Sequence, residues 1–235
     1  MPGLPSRNTD RLIRQMQCDW DERARTNAHH YIATGKLEWA LADFVESGRQ
    51  NVREEVLTDM QNICQGSDPK QMRVLEIGCG AGRLTRALAE VFGEVHGVDI
   101  SGEMVKLARE MLRDQPNAFV HQNNGMDLSV VGHLTFDFAF SFIVFQHIPS
   151  KAVIENYVRE AHRLLRPGAL FKFQVTGCPG KPPPQQTWFG APFSEQEAEE
   201  MAARCGFEAR YRTGGGTQMF WLWFFKPAGE SSTMR

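Results

Sequence analysis

From position 72 onward, short apolar runs alternate with segments whose apolar residues recur every three or four positions. Val74-Leu75-Glu76-Ile77 reads as a strand, followed by glycines and a helix over 82–92. A second strand, 94–98, ends in Asp99, and Ser101 is placed to cap a helix running to Leu112. Residues 118–121 and 136–142 read as the third and fourth strands. Ser150 opens a helix in which Val153, Ile154, Tyr157, Val158, Ala161, Leu164 and Leu165 share one face, until Arg166-Pro167-Gly168 stops it. A fifth strand covers 170–175. Strict alternation of strand and helix implies right-handed crossovers, hence a parallel sheet with helices on both faces.

The two ends depart from this rhythm. Residues 1–65 read as helical over 8–26 and 36–64, with breaks at Gly35 and Gly48, and form a cap or extension. A polar hinge at 66–70 separates them from an α/β domain over 66–235. Near the other end, a Pro- and aromatic-containing loop over 177–192 leads to a helix opened by Ser194 and closed by Cys205-Gly206. Strands over 207–212 and 217–225 flank Gly214-Gly215-Gly216, and a hairpin makes them antiparallel. Residues 219–225 are apolar on both alternating faces, so this strand belongs inside the sheet rather than at an open edge.

Composition narrows the class. With 42% hydrophobic and 23% charged residues in 235, the chain has enough apolar material for a core and is neither disordered nor fibrous. A formal charge of −2 lacks the basic footprint of a nucleic-acid binder. No apolar run reaches the length of a membrane span, and the polar first ten residues lack a signal-peptide core. Five scattered cysteines without a CxxC read as reduced thiols rather than a metal or disulfide set, which points to a cytoplasmic protein.

The chemistry concentrates at the first strand-to-helix junction. Gly78-Cys79-Gly80-Ala81-Gly82 lets the backbone turn sharply and approach a ligand. Asp99 ends the next strand, 21 positions after Gly78, where a carboxylate can accept both hydrogen bonds of a ribose diol. A dinucleotide fingerprint would need glycine at position 83, where this chain has Arg83.

The segment Glu76-Ile77-Gly78-Cys79-Gly80-Ala81-Gly82, with Asp99 ending the second strand, resembles the first motifs of the class I S-adenosylmethionine-dependent methyltransferases. The resemblance covers about 72–175, and the terminal hairpin in topology. It implies a Rossmann-like seven-stranded sheet with an antiparallel last strand, S-adenosylmethionine as cofactor, and in-line methyl transfer. By that resemblance Glu76, Gly78, Cys79 and Gly80 line the methionine end, and Gly82 allows close helix packing. Asp99 holds the ribose and Ile100 packs on the adenine. Asn124, with Gly125 and Met126, takes the position near the adenine amine, with Asp127 as the competing choice. Cys79 is expected to be a small spacer rather than a nucleophile.

The stretch after the fourth strand, Phe142 to His147, is expected to face the methionine end and the acceptor. Phe142 and Gln146 are candidate cofactor contacts. His147 is the candidate general base, its alternatives being a turn-bonded histidine or a cofactor contact. The Asn/Asp-Pro-Pro-Tyr motif of enzymes that methylate planar amino groups in DNA or protein is missing, which favours a small-molecule acceptor. Trp20, His29, His30 and Tyr31 could line the cleft from the N-terminal helices or simply pack there. Trp188 and Phe189 could belong to a lid, and Pro183-Pro184 to a stiff linker. Two rivals are an NAD(P)-dependent oxidoreductase and a non-catalytic protein built on the same scaffold.

Overall fold

Apolar runs and, at one edge, the polar exposed β6 form one sheet: β1 (Arg73–Ile77), β2 (Glu94–Asp99), β3 (Ala118–Gln122), β4 (Phe136–Ser141), β5 (Leu165–Val175), β6 (Glu208–Thr213) and β7 (Phe220–Phe225). The computed structural model describes residues 7–178 and 187–229. The sheet order is β3-β2-β1-β4-β5-β7-β6. β1 to β5 are parallel, and β7 runs antiparallel between β5 and β6, as its two apolar faces demand.

Polar signals at helix starts become hydrogen bonds. Ser101 accepts from the Met104 N–H ahead of α5 (Gly102–Met111), and Ser150 accepts from Val153 ahead of α6 (Lys151–Leu164). Ser194 and Glu197 complete a capping box on α7 (Glu195–Arg204). The helix after the glycine loop, α4 (Arg83–Val91), buries Leu84, Ala87 and Leu88 against the sheet.

Three expectations are corrected. β5 begins at Leu165 rather than at 170, so Arg166-Pro167-Gly168, which stops the helix as expected, lies inside a strand. The register against β4 slips between Phe136 and Phe138, from Leu165 to Leu170, and the proline sits in this irregular stretch, where no β4 residue pairs with it. The first helix, α1 (Arg7–Ile32), runs further than 26 and is broken at Asn27, whose side chain accepts from the His30 N–H and restarts it. Gly48 does not break its helix. It lies buried inside α2 (Leu41–Glu55), where a Cβ would overlap the Arg83 carbonyl, so glycine here serves a close crossing of α2 over α4. The second helical region breaks instead at Val56, before a short turn and α3 (Met60–Cys64).

The N-terminal elements cover two surfaces. Val52 and Val56 of α2 and its end, with Ile63 and Cys64 of α3, join α4, Val74, Phe138 and Trp221 in the core on one sheet face. Ile13 and Met16 of α1 join the core on the other face, with α6 and α7. Asp21 of α1 accepts from the Ser101 hydroxyl at 2.6 Å, which docks α1 beside the start of α5 and over the carboxyl ends of β1 and β2.

Candidate active site

A cleft opens where parallel strands end, between the first and fourth of them in sequence, the place where open α/β sheets bind ligands. Its floor is the glycine loop after β1. Gly78 has φ +81°, and a Cβ there would overlap the Val144 side chain. The loop and the β4 exit therefore touch, which is possible only with glycine at 78. Gly82 caps α4 and lies against Ala108 of α5, where a Cβ would stand 3.2 Å from Ala108 Cα, so it packs helices rather than lining the cleft.

Asp99 stands half-buried at the end of β2. One carboxylate oxygen accepts from the Gly80 N–H at 2.8 Å and the other from Ser101 N–H at 2.9 Å. These bonds aim the carboxylate and couple it to the loop, and each oxygen keeps a lone pair for a ligand hydroxyl. Burial pushes its pKa up to about 6, against the pull of the two N–H donors.

Glu76, buried in β1, accepts from Thr85 Oγ1 at 2.6 Å, and burial raises its pKa to about 7. The folded value lies above the free one, so its contribution to stability is complete at acid pH and is lost as pH rises through about 7. Glu76→Gln keeps the Thr85 bond without the charge. Its gain in unfolding free energy over wild type should rise from about 1 kcal/mol at pH 5 to as much as about 3 kcal/mol at pH 8. Denaturant curves at the two pH values check this, and a pH-independent difference would count against it.

Cys79 is buried, its side chain against Gly97, and burial keeps the thiol protonated well above its ordinary range. A buried, protonated thiol is a poor nucleophile.

The cleft wall holds Glu76, Gly78, Cys79, Gly80, Asp99, Ile100, Gly125, Phe142 and His147, together with Trp20 and Tyr31 of α1. Gly82 packs helices as expected, and three expected contacts stand elsewhere. Asn124 is exposed, its Oδ1 taken by the Met126 and Asp127 N–H groups and its Nδ2 donating to Asp127. Met126 packs against the core beside this turn. Gln146 lines a second pocket beside the cleft, with Tyr31, Thr176, Cys178, Trp188 and Phe189. Asp127 is taken up by Ser129 and Asn124. His29 stacks on Phe44 and His30 bonds the Lys36 carbonyl, so neither reaches the cleft wall.

Sequence reasoning missed Asn123, Tyr157, Gln174 and Arg83. Asn123 lines the cleft in place of Asn124 and donates to the Tyr157 hydroxyl at 2.8 Å. Gln174, wholly buried in β5, accepts from the Ile143 N–H at 3.2 Å and donates to Gln146 at 3.0 Å. It thereby holds Ile143 at φ +56°, an unfavourable conformation for a β-branched residue. No sequence signal marks Gln174, since a polar residue in a strand reads as solvent-facing.

His147 is buried where the two pockets meet. Its Nδ1–H donates to the Trp188 carbonyl at 2.5 Å, since a carbonyl only accepts, which leaves Nε2 as the basic nitrogen, 3.3 Å from the Gln146 amide. Trp188 and Trp20 lie 4.8 and 5.4 Å from its ring. Burial lowers its pKa to about 4, so the imidazole is neutral at physiological pH. The Trp188 segment is tied down in turn: Thr187 donates to Asp19 of α1, and the Arg23 guanidinium stacks between Trp20 and Trp188 at 4.7 and 5.2 Å. Pro183-Pro184 lies outside the described residues. Among the described residues no cluster of metal-ligating side chains occurs, and no helix is long and apolar enough to cross a membrane.

The strand order is that of the class I methyltransferase fold, with the glycine loop and acidic strand end at its cleft, and residues 74–168 match the methyltransferase-domain family. Among curated proteins, the chain is 32% identical over 134 residues to a demethylmenaquinone methyltransferase of Lactiplantibacillus plantarum, covering 54% of this chain and 55% of that protein. It is 31% identical over 90 residues to a dTDP-3-amino-3,6-dideoxy-alpha-D-glucopyranose N,N-dimethyltransferase of Streptomyces fradiae, covering 38% and 34%. The matches thus span from about a third to just over half of these relatives' lengths. Among solved structures, magnesium protoporphyrin IX methyltransferase of Synechocystis with bound S-adenosylhomocysteine superposes with a TM-score of 0.63 at 15% identity, over 89% of this chain and 97% of that one. An amino pentose methyltransferase of Micromonospora echinaspora superposes with a TM-score of 0.61 at 18% identity, over 81% and 98%. These likenesses concern the fold.

Proposed function

We propose that the chain is an S-adenosylmethionine-dependent methyltransferase acting on a small-molecule acceptor. The observation that carries this reading is the carboxylate of Asp99, fixed by the Gly80 and Ser101 N–H groups beside a glycine loop whose cleft continues to His147 and Trp188. The cleft fits the cofactor: Asp99 can take a ribose diol, and Ile100 and Met104 offer an apolar wall for a purine. Asn123, Gly125 and Glu76 line the same cleft. The cofactor supplies an electrophilic methyl group, and what remains for the protein is alignment, exclusion of water and disposal of the acceptor's proton.

The acceptor enters, in this reading, through the pocket of Tyr31, Gln146, Trp188 and Phe189, where the aromatic rings suit a planar or apolar molecule. α1 and the Trp188 segment form the cap, latched to each other through Asp19, Thr187 and Arg23. His147 Nε2 receives the acceptor's proton. A weakly basic imidazole suffices for a hydroxyl, whose proton becomes strongly acidic as the new carbon–oxygen bond forms.

Titration calorimetry tests the cofactor assignment. S-adenosylhomocysteine should bind and NADH should bind far more weakly; equal affinities would overturn the reading. Asp99→Ala should weaken S-adenosylhomocysteine by about 1–3 kcal/mol. In wild type the affinity should fall as pH drops through about 6, where Asp99 takes up a proton and becomes a poorer acceptor for the diol. Release of S-adenosylhomocysteine across a panel of metabolites then identifies the acceptor.

A further inference from the structure

A row of polar contacts runs from the exit of β4 to the Trp188 segment. The Ile143 N–H donates to Gln174 Oε1 at 3.2 Å, and Gln174 Nε2 donates to Gln146 Oε1 at 3.0 Å. Gln146 Nε2 lies 3.3 Å from His147 Nε2, and His147 Nδ1 lies 2.5 Å from the Trp188 carbonyl oxygen. Backbone groups fix both ends, since an N–H can only donate and a carbonyl can only accept. Every link between them therefore points the same way: Gln174 donates to Gln146, and Gln146 donates to the bare Nε2 of His147.

Gln174 has no freedom to turn over. It is wholly buried, and its Nε2 also donates to the Val175 and Gln218 carbonyls at 2.8 and 2.6 Å. A reversed amide would set its oxygen against two carbonyls and its NH2 against the Ile143 N–H, leaving buried groups unpaired. Gln146 is half-buried on the pocket wall, and its amide bonds side chains, not backbone, among the described residues. Which way it faces is thus set by Gln174.

The charged groups near the ring do not set that direction. Burial is the main reason the imidazole resists a proton, Arg23 of α1 acts in the same sense, and the Trp188 carbonyl opposes them. Asp19, Tyr31 and Glu22 lie around Arg23 in turn. Glu76, Arg83 and Asp99 share the cleft and Cys178 the adjoining pocket, and none of them is bonded to the imidazole among the described residues.

We propose that Gln146 and Gln174 are positioning residues for proton transfer to His147: Gln174 fixes which way the Gln146 amide faces, and that amide keeps Nε2 bare for the acceptor. This rests on the base role given to His147 above. The contact between the two Nε2 atoms is long, so a docking hydroxyl can displace it.

NMR of the histidine ring nitrogens in the full chain tests this, the His147 signal being the one absent from His147→Ala. In neutral wild type, Nδ1 should carry the proton and Nε2 none. Gln174→Leu, at a residue that does not touch the ring, should raise the pH at which His147 titrates, because Gln146 can then turn its oxygen towards a protonated Nε2. Adding Gln146→Leu should abolish that rise, a coupling that loss of packing alone would not produce. Gln146→Glu leaves Gln174 in place, and its carboxylate should raise the titration by about 1–3 pH units. A proton on Nε2 in neutral wild type overturns the proposal without recourse to any variant. So does an unchanged titration in folded Gln174→Leu or in Gln146→Glu, or a rise that survives the removal of Gln146. Near-normal turnover of His147→Ala overturns the base role, and the proposal with it, whatever the titrations show.

Discussion

Alanine at position 78 should lower the stability of the chain by about 2–5 kcal/mol, combining a left-handed backbone with overpacking. Gly78 holds φ +81°, and its missing Cβ is the space that the Val144 side chain occupies. The substitution forces the loop away from the β4 exit, and S-adenosylhomocysteine binding should be lost with it. Denaturant midpoints and calorimetry measure both. Gly78→Ala combined with Val144→Ala relieves the overlap but not the backbone strain, so it should recover part of the stability. An unchanged midpoint in Gly78→Ala would show that the loop can relax freely.

Removal of the imidazole should have the second large effect. His147→Ala is expected to lower turnover by about 10²–10⁴, the range for general base catalysis, with little change in cofactor affinity. The loss should shrink for acceptors already deprotonated at the assay pH, and equal losses across acceptors would exclude the base role. Stability has its own signature. Burial depresses the His147 pKa from 6.5 to about 4, so the stability tied to its neutral form is present above pH 6.5 and is lost as pH falls towards 4. A variant without a titrating group at 147 should lose less stability over that interval. Near-normal turnover per folded molecule would make His147 a structural tie to the Trp188 carbonyl.

The legible parts of this molecule were those where one local signal and the global fold agree. Ser101, Ser150 and Ser194 cap helices as their positions suggest, and the doubly apolar run at the end of the chain lies inside the sheet. The errors came from residues whose meaning depends on what lies across from them. Gly48 reads as a helix break until α4 is seen crossing it. Arg166-Pro167-Gly168 stops the helix as read, but that β5 already runs through it shows only in the pairing with β4. Asn123 and Asn124 are indistinguishable in sequence, and the turn that engages one and turns the other into the cleft is set by Asp127 and Tyr157. Arg83 served only as an argument against a dinucleotide fingerprint, because its burial under α2 depends on a helix some thirty positions earlier.

The placement of β7 also constrains the order in which the molecule can assemble. β6 pairs with β7 and not with β5, so during synthesis it has no strand to join until residues 220–225 have emerged. The flank of β5 that β7 covers stays open for the same interval, an unpaired edge bearing Phe171 and Phe173. A nascent chain stopped short of Phe220 therefore presents an aggregation-prone edge. Closure of the sheet becomes a late event, made by the contacts between β5 and the final strand.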